Sequence, residues 1–282
     1  MQYFAMGQHF DIIDEMCIYF KGRHISRCYN PNKPEKWHLK FFAMNDGRTG
    51  YLYNFYPYQG ANERRPVEWG ATAYPVFKLL NSREEMHNIN HILHVDNWYN
   101  QFQVAKYVRS IGMHCNGTIK TNRKGLAKEL LFKSTGPTKK TRGTMELSKT
   151  TLADGNEYFF TAWMDTKPVH MLSTYRPGND MIVRNSTAPD GKYQKIRLAR
   201  PTNIGDYNHG MGGTDLFDQY CSYYRTMVRT KKWPMRIFTH FIMASIVNAF
   251  ILYKYSHDDA TLLSFITLLL EELSAHRRQD PA

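Results

Sequence analysis

Two short apolar runs, Phe10 to Glu15 and Ile89 to Val95, set the strongest constraint on this chain, because each brings an acidic side chain to the edge of a strand-like segment. The first has the length and β-branched content of a buried strand and ends on Asp14-Glu15, and the second leads directly into Asp96. Between them, Trp37 to Met44 and Gly50 to Tyr58 read as two β-runs. The intervening Asn45-Asp46-Gly47-Arg48 tolerates the positive φ of a tight turn, so the pair is a hairpin. The stretch from Tyr74 to about Met86, with Val76, Phe77, Leu79 and Leu80, predicts an amphipathic helix. From Gln101 to about Ile111 the apolar positions Phe102, Ala105, Val108 and Ile111 form the stripe of a helix lying on a sheet. Three strands, helix, strand, helix is the order of an α/β fold.

The character changes at Lys120. From there to Arg142 eight basic residues face a single acid, Glu129, and Gly136-Pro137 breaks the run. Short β-like runs follow at Glu157 to Met164, Val169 to Tyr175, Met181 to Arg184 and Tyr193 to Leu198, separated by turn signals, and read as a small all-β module. Helical pattern resumes near Asp215, continues through Ile237 to Tyr253 and ends with Thr261 to Leu273. The expected organisation is a core over 1–119, a basic, β-rich insertion over 120–206, and C-terminal helices of the core over 207–282.

Charge narrows the partners. Lys and Arg number 37 against 25 Asp and Glu, a formal charge of +12, which favours a polyanion and puts nucleic acid first. The four cysteines (Cys17, Cys28, Cys115, Cys221) are scattered without a CxxC pair, so neither a zinc site nor a disulfide framework is legible and a reducing compartment is expected. The first residues carry no secretory signal pattern. Ile237 to Tyr253 is largely apolar, but it contains Thr239, His240, Ser245 and Asn248 and falls short of a comfortable span. A buried core helix, with no membrane, is the expectation.

Asp14, Asp96 and Asp215, the last following Gly212-Gly213, stand at the edges of predicted elements. Strand ends of α/β sheets collect catalytic groups, and a helix N-terminus favours a carboxylate. Two carboxylates about 4 Å apart repel by roughly 4 kcal/mol at an effective dielectric of 20, a cost a divalent cation relieves. Hard oxygen ligands select Mg²⁺ or Mn²⁺, and phosphoryl transfer uses two such ions. Taken singly, the same residues read as a cap, a turn acid and an N-cap.

Longer motifs separate these readings. Ile13-Asp14-Glu15, with Phe20-Lys21-Gly22-Arg23 and Tyr29-Asn30-Pro31-Asn32-Lys33-Pro34, resembles the first catalytic block of piggyBac transposases. Val95-Asp96-Asn97-Trp98-Tyr99 resembles the second block, and Gly212-Gly213-Thr214-Asp215-Leu216-Phe217-Asp218-Gln219 the third. Trp233-Pro234 and Ile246-Val247-Asn248-Ala249 are similar to the helices that follow. The resemblance implies an RNase H-like (DDE/DDD) core with a β-rich insertion between the second and third acids. It implies that Asp14, Asp96 and Asp215 are the catalytic, metal-binding triad with Asp218 as an accessory metal ligand, holding two Mg²⁺ or Mn²⁺ ions. It further implies cut-and-paste DNA transposition through a hairpin intermediate at TTAA targets, transposon ends as partners, a possible homodimer and a nuclear location.

Family members also carry an N-terminal DNA-binding and dimerising region and a cysteine-rich C-terminal domain. Neither is legible here, so a fragment, a truncated product or a domesticated remnant is expected. The competing function is a transposase-derived DNA-binding protein without catalysis; a general nuclease of the same fold comes third.

Other residues have plainer readings. Glu15 points away from Asp14 if the strand continues, which suits a structural role. Asp46, Asp165 and Asp206 look like turn acids, and His91 and His94 like packing or surface residues. The basic residues Lys120, Arg123, Lys124, Lys139, Lys140 and Arg142, with Arg229, Lys231 and Lys232, suit DNA phosphates; Arg225 and Arg236 belong to the latter cluster. Trp98 and Tyr99 suit either base stacking or core packing.

Overall fold

The computed structural model describes residues 10–279, apart from 34, 127, 137–139, 188–190 and 226–229. In chain order it has strands β1 (Phe10–Tyr19), β2 (Arg27–Tyr29), β3 (Trp37–Asp46) and β4 (Leu52–Pro57), then helix α1 (Tyr74–Asn81). Strand β5 (Ile92–Val95), helix α2 (Phe102–Ser110) and strand β6 (His114–Thr118) follow. Next come β7 (Met145–Thr151), β8 (Glu157–Met164), β9 (Pro168–Ser173), β10 (Asn179–Thr187) and β11 (Tyr193–Pro201). The chain closes with α3 (Thr202–Gly210), α4 (Gly213–Tyr223), α5 (Trp233–Tyr253) and α6 (Leu262–Gln279). These elements make two compact units, one of the chain up to Ile13 with Arg65–Met211, the other of Asp14–Arg64 with Gly212–Ala282.

In the first unit a mixed sheet runs in the order β1-β5-β6-β9-β8-β7. Strands β1, β5 and β6 are parallel, and β9, β8 and β7 continue antiparallel. Helix α2 packs on β6 and buries Val104, Ala105 and Val108, while Phe102 and Ile111 of the expected stripe are half-buried. The strands expected in a separate module divide: β8 and β9 extend the sheet, together with β7, a strand the pattern did not show, and among the described residues β10 and β11 pair only with each other. The reason lies in β8, whose Tyr-Phe-Phe-Thr-Ala-Trp-Met run is buried on both faces, as a central strand must be.

In the second unit β3 pairs with β2 through Trp37–Leu39 and with β4 from Phe41 to Asn45, which is the expected hairpin. Helix α4 packs on β3, α5 on α4 and α6 on α5. Met16, Phe41, Phe217, Val247 and Phe250 form the centre of its core. Asn248, midway along α5, brackets Leu52 by accepting from its N–H and donating to its carbonyl, both at 2.9 Å.

Several expectations shift. Strand β1 runs on to Tyr19, so Asp14 lies inside a strand rather than at its end; Met16 and Ile18 keep it paired to the core. Helix α1 stops at Asn81, where Ser82 Oγ turns back onto the Leu79 carbonyl at 2.9 Å. Strand β5 starts only at Ile92, because Asn88 and Asn90 adopt positive φ. Helix α5 is amphipathic in practice rather than wholly buried. Met243, Val247 and Ile251 face inward, whereas Met235, Phe238, Ile242 and Leu252 are exposed. By length and composition alone α5 is apolar enough to cross a membrane.

Candidate active site

The site in the second unit starts from the way α4 is seated. Gly213 meets the β3 end so closely that a Cβ there would stand 2.2 Å from the Asp46 carbonyl oxygen. Thr214 Oγ1 donates to Asn45 Oδ1 at 3.0 Å, and Asn45 Nδ2 donates to the Gly50 carbonyl at 2.9 Å. Gly50 adopts φ +77° against the same turn of helix. These contacts fix the first turn of α4 and with it Asp215, which is exposed. Asp218 follows three residues later on the same face.

Asp218 is half-buried in a crowd of charge. Burial, opposed by the Lys33 ammonium and reinforced by Asp215, Asp14 and Glu35, pushes its carboxyl up to about 7. Asp218 is therefore within electrostatic reach of both Asp215 and Asp14, and an acid perturbed in this way is a mark of functional sites. Asp215 and Asp218 line a cavity of about 440 Å³ together with Cys17, Lys33, Arg225 and His240. Burial, helped by Arg225, lowers His240 to about 4, and its Nε2 lies 3.4 Å from Met16 Sδ. Glu15 is engaged with Lys40 at 2.9 Å, which bears out its structural reading.

Asp96 is held in the first unit by different means. The parallel register pairs Ile13 with Val95, the residues that directly precede Asp14 and Asp96. Asp96 Oδ1 accepts the N–H groups of Trp98 at 2.7 Å and Tyr99 at 3.3 Å, closing a tight turn. Arg123 clamps the same turn, donating to the carbonyls of Asn97 at 3.2 Å and Trp98, and to Gln101 Oε1 at 3.4 Å. Asn100 anchors it from below through the Gly117 carbonyl at 2.7 Å. Gly117 has no room for a side chain, since a Cβ would meet the Val95 carbonyl oxygen at 2.0 Å. Tyr99 is buried and packs against Trp98, so its role is packing, while Trp98 is half-buried.

The remaining candidates sort by their partners. Asp46 caps its turn through Arg48 N–H and Thr49 N–H, as expected. Asp165 pairs with Arg142 at 2.7 Å, and Lys140 with Glu146 at 3.1 Å. Asp206 sits inside α3 rather than in a turn and accepts from Tyr175. His91 is bonded to buried Asp11 at 2.8 Å, and His94 is fully buried near Asn116. Lys120, Lys124, Lys231 and Lys232 are exposed. Lys139 and Arg229 lie outside the described residues. Arg225 and Arg236 serve the fold, Arg225 pairing with Glu35 and Arg236 donating to the Tyr19 carbonyl at 3.1 Å. Sequence reasoning overlooked Lys33, although it lies inside a motif that was read; its signal was a lysine two residues after the Asn30-Pro31 turn.

Among the described residues no three His, Cys, Asp or Glu side chains are grouped closely enough to hold a metal ion by themselves. That is compatible with Mg²⁺ or Mn²⁺. Mg²⁺ binds through one or two carboxylates and completes its shell with water and substrate phosphates. The donors at Asp14, Asp215 and Asp218 are hard oxygens, the right chemistry for such an ion.

The sequence model of the family described as transposase IS4 matches residues 1–250. The chain belongs to that transposase family. A human protein described as piggyBac transposable element-derived protein 2 is 23% identical over 258 residues, which is 89% of this chain and 42% of that protein. A piggyBac transposase solved by cryo-EM in a synaptic complex with hairpin DNA superposes with a TM-score of 0.76 at 24% identity, over 98% of this chain and 55% of its own. The chain thus spans about half the length of the relatives it matches, and its mixed α/β fold is similar to that of the piggyBac transposase.

Proposed function

We propose that this chain is the catalytic part of a piggyBac-like transposase with an RNase H-like core, cutting DNA and joining strands at TTAA targets. In this reading Asp14, Asp96 and Asp215 hold two Mg²⁺ or Mn²⁺ ions, with Asp218 beside them. The observation that carries it is the seating of Asp215 and Asp218 on one face of α4 against a shared cavity, where burial and the nearby Asp215 and Asp14 carboxylates raise the pKa of Asp218. The register of Ile13 with Val95 and the capped turn that fixes Asp96 support the third position.

Bound ions supply activation of the attacking oxygen and stabilisation of the leaving oxygen. The protein's own part is to present carboxylates on a rigid strand, a clamped turn and a seated helix. The bond to the leaving 3′-oxygen breaks as water, or later a 3′-hydroxyl, bonds to phosphorus, and no protein atom enters the bond changes. The partner is DNA, both transposon ends and target, with contacts from Lys120, Arg123, Lys124, Lys139, Lys140, Arg142, Arg229, Lys231 and Lys232. Arg123 combines that role with its clamp. A homodimer and a nuclear location belong to the same proposal.

One observation favours a second reading: the human relative is described as derived from a transposable element. A domesticated protein would keep the basic surface and dispense with metal. A cleavage assay on TTAA-flanked DNA with Mn²⁺ separates the two. Cleavage by the wild type and its loss in Asp215→Asn support the transposase reading; DNA binding without cleavage, unchanged in the same variant, supports the domesticated one.

A further inference from the structure

Three cations line the cavity beside Asp215 and Asp218, and two of them are already engaged. Arg225 is paired with Glu35, and Arg236 donates to the Tyr19 carbonyl. Lys33 is half-buried, yet among the described residues its ammonium makes no hydrogen bond or ion pair. A half-buried ammonium without a partner is costly, and its three donors can be satisfied only by water or by an anion.

Its position is built rather than incidental. Lys33 N–H donates to the Asn30 carbonyl at 3.3 Å, and Asn32 N–H to Asn30 Oδ1 at 3.0 Å, closing a turn directly after β2. Two residues further on, the Glu35 to Arg225 ion pair ties this loop to the chain just past α4. Burial works against the charge of Lys33, but Cys17, Asp14, Glu15 and Asp215 outweigh it and raise its pKa, so the ammonium persists at neutral pH. The carboxylates hold the charge in place without consuming its hydrogen bonds.

We propose that Lys33 is the phosphate-holding cation of this cavity, binding a non-bridging phosphate oxygen while the neighbouring carboxylates face the metal. The proposal rests on the reading of Asp14 and Asp215 as metal ligands. A lysine has no acceptor and cannot ligate the metal, but as a compact point charge it suits phosphate. The ligand chemistry is a phosphate oxygen, whether of a DNA phosphodiester or of free phosphate.

The test uses the full chain and reads binding rather than turnover. Mn²⁺ is titrated into wild type, Lys33→Met and Lys33→Arg; a short DNA single strand and inorganic phosphate are then titrated with and without Mn²⁺. Lys33→Met removes a positive charge, so Mn²⁺ binding tightens by roughly threefold or more. Phosphate-oxygen binding weakens by about tenfold, and Lys33→Arg recovers most of it. Weakening for the oligonucleotide alone assigns the DNA backbone, and weakening for inorganic phosphate alone assigns free phosphate; either supports the contact. Tighter Mn²⁺ binding with both anion affinities unchanged would make Lys33 a mere counter-ion and overturn the proposal. Absence of Mn²⁺ binding in wild type would sink the metal reading instead. The metal-free anion titrations would then still decide Lys33, supporting it if Lys33→Met weakens them and overturning it if not.

Discussion

Asp96 and Asp218 lie in different units and are held in opposite ways. The Asp96 turn is saturated: its own carboxylate caps two N–H groups, Arg123 takes up the carbonyls, and Asn100 fixes the base. Asp218 gains nothing comparable. It is kept among like charges by a helix whose seating is supplied by Gly213, Thr214 and Asn45. The turn stabilises its acid locally, whereas the helix carries electrostatic strain that the rest of the second unit must offset. A carboxylate that ordinary turn chemistry explains is weak support for a site; one that the fold holds against its own interest is stronger.

The largest expected effect concerns that seating. Gly213→Ala forces a Cβ into the Asp46 carbonyl and should cost about 3 kcal/mol in a denaturant titration. Gly212→Ala, one residue earlier with no atom within 4 Å, should change stability by less than about 0.5 kcal/mol. Equal effects would break the claim that α4 is held at Gly213. Next, Arg123→Ala strips the Asp96 turn of its clamp and should cost about 2 kcal/mol, with Arg123→Lys no better because an ammonium cannot span the same carbonyls. If Arg123→Ala weakens DNA binding while leaving stability untouched, its main task is phosphate contact and the comparison fails there.

A pH series sharpens the second unit's side. His240 is lowered from 6.5 to about 4 in the fold, so on acidification the unfolded chain takes up the proton first. Stability held above pH 6.5 is therefore lost as the pH falls towards 4. Between pH 7.5 and pH 5 the loss is about 2 kcal/mol for this group, and His240→Gln should flatten that part of the profile.

Much of the scaffold was legible because it rests on local pattern. The Asn45 to Arg48 turn, the buried run of β8 and the stripe of α2 each needed only neighbouring residues. What escaped depends on distant partners. Strand β6, His-Cys-Asn-Gly-Thr, has no apolar alternation; it is a strand because Asn116 bonds the Asn203 carbonyl and Gly117 fits beneath Val95. Helix α3 is rich in Asn and Gly, poor helix formers, and is set by packing of Ile204 on Trp163 and Met171. The acids themselves were visible through motifs, and Asp218 gained weight only from its surroundings. Lys33 was hidden, since nothing in sequence shows that its neighbours Arg225 and Arg236 are already engaged.

The most direct test of the central claim is calorimetric titration of Mn²⁺ into the purified chain beside Asp96→Asn and Asp215→Asn. Saturable binding in wild type that each substitution weakens by about tenfold or more is the expected result, and it would support the assignment of Asp96 and Asp215 as metal ligands. Binding that survives Asp96→Asn unchanged, or no binding by a folded wild-type chain, would contradict it.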